Sequence, residues 1–281
     1  MSNPVRVGFI GLGDQGAPMA AAIAERYPLH VWARRETSYE ALGEAPYTTA
    51  DNAAVLAASV DVLCLCLRND TDLQVLLADG TVLAALGRGK TIINHATGDP
   101  IESVEFERLA NTWGVRFLDA PVSGGGPGAT ARALTCFVGG QPDVLATCRD
   151  IIACHSSSIV RMGPAGSGQM AKLCNNALTI SNLRNIVEVF AMADRLGLSL
   201  TGLREAFAQS SGGSFILQAL GDKITLENAA HVADLNRTDL HEFAEAMQRK
   251  GLDPRYIYRW GISAPDGLVG LVRRLQRNSG G

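Results

Sequence analysis

Several features that would mark other classes of protein are missing from this 281-residue chain. It has no C-x-x-C pair, and its cysteines, at 64, 66, 136, 148, 154 and 174, are scattered. That spacing offers neither a zinc site nor a disulfide framework. Reduced thiols in a cytoplasmic setting are therefore expected, with no metal ion. No apolar run approaches the roughly 20 residues of a membrane-crossing helix. The first residues lack the charged region, apolar run and cleavage site of a secretory leader. There is no basic block, and the net charge is −3, which argues against a nucleic-acid partner. Arg273, Arg274 and Arg277 are too short a cluster to change that, and a frayed basic tail is expected there. Internal repeats and low-complexity linkers are also lacking.

What is present is apolar. Hydrophobic residues make up 47% and charged residues 19% of the chain, enough for one large domain or two ordinary ones with a sizeable core. Val5–Ile10 is a β-branched run that reads as a buried parallel strand. The turn G-L-G-D-Q-G (11–16) follows, then alanine-rich helix-forming sequence with Pro18 in its first turn, where proline is tolerated. Strand, glycine turn and helix form the context in which G-x-G-x-x-G signals a dinucleotide. Gly11 permits the tight turn, Gly13 lets backbone approach a pyrophosphate, and Gly16 lets helix and strand pack closely. The helix N-terminus would receive the pyrophosphate. A purely structural glycine turn is the alternative. After the next strand, Leu29–Trp32, the usual acidic ribose-binding position holds Ala33, and Arg34 and Arg35 follow. Arginines there suit a 2′-phosphate, which favours NADP over NAD. Otherwise they are solvated, with Glu36 neutralising one.

Alternation continues. Helices are expected at 53–59, 75–86 and 100–113, and strands at 60–67, 91–94, 115–119, 134–138 and 159–161. Repeated βα units imply a doubly wound, mostly parallel Rossmann sheet. The segments 68–72, 95–100 and 120–129 read as loops beyond the strands' carboxyl ends, where ligands of such sheets bind. In the last of these, Ser123 precedes Gly124, Gly125 and Gly126, so a hydroxyl and open backbone N–H groups suit a carboxylate. An ordinary glycine-rich loop is the alternative.

Beyond Gly163 the period changes. Residues 165–196 read as one long helix stopped by Gly197, and further helices are expected at 201–209, 217–220, 233–250 and 268–276. This gives an all-helical second domain, 164–281, after a dinucleotide-binding domain, 1–163. Lys172 and Asn176 stand at i and i+4 on the entrance helix and share a face, either a small polar site or a solvated surface.

Four motifs then make the chain resemble the β-hydroxyacid dehydrogenase family, over nearly its whole length. They are G-F-I-G-L-G-D-Q-G-A-P-M-A at the start, A-T-G-D-P (96–100), D-A-P-V-S-G-G (119–125) and G-S-G-Q-M-A-K-L-C-N-N (166–176). The resemblance implies hydride transfer between NADP(H) or NAD(H) and a small β-hydroxy acid or its semialdehyde. It implies that Lys172 is the catalytic lysine and Asn176 its polar partner. Ser123, Gly124, Gly125 and Asn175 would hold a small anionic substrate. Gly11, Leu12, Gly13, Asp14, Gln15, Gly16, Leu67 and Thr97 would hold the cofactor, with Arg34 and Arg35 at its 2′-phosphate. The family's second lysine, usually in K-D-L, is replaced by Thr238 in R-T-D-L (237–240), with Arg237 or His241 as substitutes. An imine reductase of the same architecture is a rival that Lys172 argues against, since that family carries Asp or Tyr there. A non-catalytic cofactor-binding module is the other. The long helix has an apolar stripe suited to a homodimer or homotetramer.

Overall fold

The structure is a computed structural model that describes residues 4–277. It divides into two compact units within the long helix, at Lys172/Leu173. In the first, the chain runs β1 (Val7–Ile10), α1 (Gly16–Ala24), β2 (Leu29–Trp32), β3 (Thr48–Thr49), α2 (Ala53–Ser59), β4 (Val62–Leu65), α3 (Asp70–Leu77) and α4 (Thr81–Leu86). It continues through β5 (Thr91–Asn94), α5 (Pro100–Thr112), β6 (Arg116–Asp119), β7 (Val122–Ser123), α6 (Gly125–Thr130), β8 (Leu134–Gly139), α7 (Pro142–Ile152) and β9 (Ser156–Gly163). One sheet results, in the order β3-β2-β1-β4-β5-β6-β8-β7, with β9 on β8. Pairings from β3 to β6 are parallel. Strand β8 runs antiparallel to β6 and β7 and parallel to β9.

The apolar runs are continuous because both faces are covered. Phe9, Cys64, Ile93 and Leu118 pack with Met19 and Ile23 of α1 and with Val144 and Ile151 of α7 on one face. Ile10, Leu63, Leu65, Ile92 and Phe117 pack with Leu56, Leu73, Leu83 and Phe106 on the other. Neighbours in sequence thus alternate faces, with period two.

Several expectations shift. The single helix expected over 75–86 is two helices: Gly80, at φ 73°, breaks the run, and the Asp79 carboxylate accepts from Thr81 N (2.9 Å) and Oγ1 (2.7 Å) where the second begins. Segment 68–72 is largely helical, since Asn69 caps Asp72 N at 2.9 Å and starts α3 early. Segment 120–129 contains β7 and most of α6. Helix α7, β3 and a 3-10 turn at Glu36–Leu42 went unanticipated. Cys64 is buried and Cys66, just past the end of β4, is partly covered; all six cysteines are the free thiols expected.

The long helix α8 (Ser167–Arg195) has 29 residues, or roughly 44 Å at ~1.5 Å per residue. Beyond it lie α9 (Leu200–Ala208), α10 (Phe215–Ala219), α11 (Ala229–Arg249), α12 (Arg255–Gly261) and α13 (Ala264–Arg277), of which α12 was unanticipated. Leu183, Val187 and Phe190 of α8, Leu240 of α11, and Leu268, Leu271 and Val272 of α13 are buried. Leu178, Met192, Leu196, Phe215 and Tyr256 remain exposed. No helix among the described residues is long and apolar enough to cross a membrane. The frayed tail is corrected: Arg273 and Arg274 are helical, and Arg274 lies 3.9 Å from the Asp194 carboxylate. The Arg277 side chain is outside the described residues.

Candidate active site

The glycine turn between β1 and α1 forms one wall of a cavity of about 720 Å³. Gly11 has φ 103°, and a Cβ on it would overlap the carbonyl of Cys66. A Cβ on Gly16 would overlap Gly11 O, whereas one on Gly13 would meet only open space. The backbone is therefore closed against the sheet at Gly11 and Gly16 and open toward the cavity at Gly13. That is the cradle a pyrophosphate requires, so these residues fit a dinucleotide. Leu12, Asp14, Gln15 and Leu67 line the same cavity.

Arg34 and Arg35 both line it too, with Ser38 and Arg68, which sequence reasoning missed. The partner of Arg34 is Asp72, at 3.3 and 3.5 Å, rather than Glu36. Asp72 is brought to the cavity by the early start of α3. Tyr39 accepts a hydrogen bond from Ala33 N at 3.1 Å and so fixes the position where an acidic side chain was absent.

The glycine-rich segment 124–126 meets the Gly11–Gly16 turn directly. A Cβ on Gly126 would stand 3.1 Å from Asp14 O, so the two loops touch through backbone. Ser123 is anchored by β7, paired with Thr135 of β8. Gly124 and Gly125 have φ 135° and 64°.

Around the start of α8 lie two buried groups, Asp119 and Gln169, and a partly buried one, Asp70, that sequence reasoning did not single out. Asp119, the last residue of β6, is fully buried and accepts hydrogen bonds from Gly166 N and Gln169 N, each at 2.9 Å. It caps the helix from a distant strand. Burial pushes its carboxyl up to about 6, against the opposing pull of these backbone amides. Gln169, also fully buried, accepts from Gly98 N at 2.9 Å and donates to Ala96 O at 2.7 Å. Its two bonds bracket Thr97. Asp70 accepts from Asp99 N at 2.6 Å, and burial raises its carboxyl to about 6. A Cβ on Gly98 would overlap the Asp70 carboxylate, which would have to move aside for any other residue there. The one available signal was placement: Asp119 and Gln169 lie inside quoted motifs, and Asp70 in the segment that follows β4.

Lys172 is half-buried, one turn beyond Gln169. Asn176 is 8% exposed, and the Asn175 amide donates to its Oδ1 at 3.4 Å. Further along the chain, the candidates for the second lysine each have partners within the helical unit. Arg237 pairs with Asp234 (2.7 Å) and Asp266 (2.6 Å), Thr238 bonds back to Asp234 O (3.2 Å), and His241 Nδ1 is 2.9 Å from Tyr258 OH.

Known proteins place the chain independently. The family model of the NAD binding domain of 6-phosphogluconate dehydrogenase matches residues 6–163. The model for the NAD-binding of NADP-dependent 3-hydroxyisobutyrate dehydrogenase matches residues 166–256. The chain is 28% identical to 2-(hydroxymethyl)glutarate dehydrogenase of Eubacterium barkeri over 251 residues, 88% of this chain and 83% of that one. It is 33% identical to NAD-dependent L-serine dehydrogenase of Pseudomonas aeruginosa over 215 residues, 76% of this chain and 72% of that one. Its fold is that of a Mycobacterium tuberculosis 3-hydroxyisobutyrate dehydrogenase solved with L-serine, with TM-score 0.83, 24% identity, and 98% and 99% coverage. A Pseudomonas imine reductase is more distant, sharing the fold at 17% identity and TM-score 0.66.

Proposed function

From the premise that the chain belongs to the β-hydroxyacid dehydrogenase family and is an NAD(P)-dependent oxidoreductase of CH–OH groups, we propose that it acts on a small β-hydroxy acid or its semialdehyde, with Lys172 as general acid and base. The observation that carries this reading is the meeting of loops at the carboxyl ends of the strands. The anion loop packs on the cofactor turn at Asp14, and Asp119 and Gln169 pin the lysine-bearing helix beside them.

When bound, the nicotinamide supplies or takes up hydride. The protein does the rest. Gly11 to Gly16 hold the pyrophosphate, Leu67 and Thr97 line the cofactor's path, and Ser123, Gly124, Gly125 and Asn175 hold the substrate carboxylate. In reduction, the Lys172 ammonium gives a proton to the carbonyl oxygen as negative charge grows there. In oxidation, the neutral amine takes the hydroxyl proton. Asn176 orients that exchange. Arg34, Arg35, Ser38 and Arg68 favour NADP over NAD by meeting a 2′-phosphate.

Free thiols suit a cytoplasmic setting, and the exposed Leu178, Met192 and Leu196 suit a homodimer formed through the helical unit. Sedimentation as a monomer alone would reject that dimer. The main test sets wild type and Lys172→Ala against L-serine, 3-hydroxyisobutyrate and 2-(hydroxymethyl)glutarate. The lysine variant should lose on the order of 10²–10⁴ in kcat while still binding NADPH. Unchanged turnover in that variant overturns the assignment, and tight NADPH binding without turnover on any substrate points to a cofactor-binding module.

A further inference from the structure

Gln169 takes no part in the hydride or proton transfer just described, yet its side chain is buried and bonded at both ends. Both ends are used on one loop, at Gly98 N and Ala96 O. Its own backbone N–H is bound by Asp119, so the residue cannot shift along the helix without breaking that cap. On the far side of the loop, Asp70 holds Asp99 N. The segment Ala96–Asp99 is thus gripped between α3 and α8. Three residues after Gln169, on the adjoining turn of the same helix, stands Lys172.

We propose that Gln169 is a positioning residue for hydride transfer, fixing the Thr97 loop relative to the Lys172 turn of α8. This rests on the reading that Thr97 lies at the cofactor and Lys172 handles the proton. The amide makes a two-rung ladder with the loop backbone, one donor and one acceptor, so the loop and the helix move as one piece. A reacting centre displaced by about an ångström costs on the order of 10²-fold in rate. A rigid link between the two halves of the reaction is therefore worth a buried polar side chain, which needs both bonds satisfied to be tolerated there.

The chemistry of the amide supplies the test. Gln169→Leu fills similar space without either bond. It should lower kcat on the order of 10–100-fold, leave the KM of the hydroxy acid nearly unchanged, and raise the isotope effect with substrate deuterated at the reacting carbon. Hydrogen exchange at the Gly98 amide should quicken in the same variant, an arm that does not depend on turnover. Gln169→Glu keeps the acceptor for Gly98 but turns a carboxylate oxygen toward Ala96 O. Protonation restores the donor, and burial favours the protonated form. Its kcat relative to wild type should therefore recover as pH falls, and a role in packing alone would leave that ratio flat. Wild-type kcat and Gly98 protection in Gln169→Leu, or a flat ratio in Gln169→Glu, overturns the proposal. If Gln169→Leu does not fold, the Gln169→Glu ratio decides. Lys172→Ala run in parallel separates the two readings. Its failure to lose activity sinks the lysine's role, whereas normal behaviour of the Gln169 variants sinks only the positioning role.

Discussion

Two aspartates sit at opposite ends of the same sheet and are held by opposite means. Asp61, just before β4 at the amino end, is partly exposed and meets Arg6 through backbone N (2.9 Å), Nε (3.2 Å) and Nη2 (3.2 Å), and also Lys90. The Arg6 guanidinium, helped by Lys90, holds its carboxyl far below the usual range. Asp119, ending β6, has no cation at its oxygens among the described contacts, only backbone amides, and burial raises it to about 6. The amino end is stitched by charges near water, which contribute little to stability individually. The carboxyl end is built of desolvated groups that each need a partner. One consequence concerns the ligand. Asp119 already occupies the positive end of the α8 dipole, which on the proposed reading leaves a substrate carboxylate to Ser123–Gly125.

The largest effect expected from this contrast is at Asp119. Asp119→Ala leaves the Gly166 and Gln169 amides without an acceptor and frees the helix start, which should cost about 2–4 kcal/mol in denaturant unfolding and lower kcat as well. Asp61→Ala removes two partly exposed ion pairs and should cost about 1 kcal/mol with kcat unchanged. Equal losses of kcat in both variants would break the distinction between the two ends.

A pH series sharpens it with a difference of sign. For Asp61 the folded carboxyl is depressed, so its contribution is present above the unfolded value of about 3.9 and fades as pH falls through the folded one. The deficit of Asp61→Asn relative to wild type should be full near neutrality and shrink in acid. For Asp119 the folded carboxyl is raised, so folding takes up a proton between about 6 and the unfolded value, and the burial cost appears as pH rises through 6. The deficit of Asp119→Asn should therefore be greatest in acid and shrink toward neutrality. His95 and His155, stacked edge to face at 4.9 Å, are both held neutral by burial, His95 down at about 4. They weaken the fold as pH drops below about 6.5, equally in all three proteins, so they cancel in the differences. Parallel trends for the two Asn variants would refute the contrast.

How much of this could be read from the sequence follows from what sets each feature. Glycines that must touch backbone leave a mark, and the Gly11–Gly16 turn was legible for that reason. So were strands buried on both faces, such as Thr91–Asn94, and the long helix with Gly197 after it. Boundaries set by one side chain were not legible: Asp79 restarting a helix, or Asn69 capping α3 and so delivering Asp72 to the cavity. The clasp at α8 was hidden for a different reason. Asp119 and Gln169 are 50 residues apart, and a buried aspartate or glutamine looks like any surface one until the strand and helix meet. The motifs marked the right segments while the single polar side chains holding them together carried no periodicity to find.

The smallest effect expected lies at the rim of the cofactor cavity, which should behave like the amino end although it belongs to the other. Arg34 is 73% exposed on its side chain and pairs with Asp72 at 3.3 Å, a surface contact with water on most sides. If a 2′-phosphate binds as proposed, Asp72 would compete with it for the same guanidinium, which would limit the net gain from Arg34 to about 1 kcal/mol, roughly fivefold in Kd. Arg34→Ala should weaken NADPH by about that factor and leave NADH unchanged, and Asp72→Asn should tighten NADPH slightly by freeing Arg34. Both effects should fade as salt is raised, since the Debye length falls to about 3 Å at 1 M. The Gln169 and Asp119 variants, whose contacts exclude water, should show no such dependence. Equal loss of NADH and NADPH binding in Arg34→Ala would remove the 2′-phosphate from this rim, and an effect that persists in high salt would place Arg34 with the desolvated groups instead.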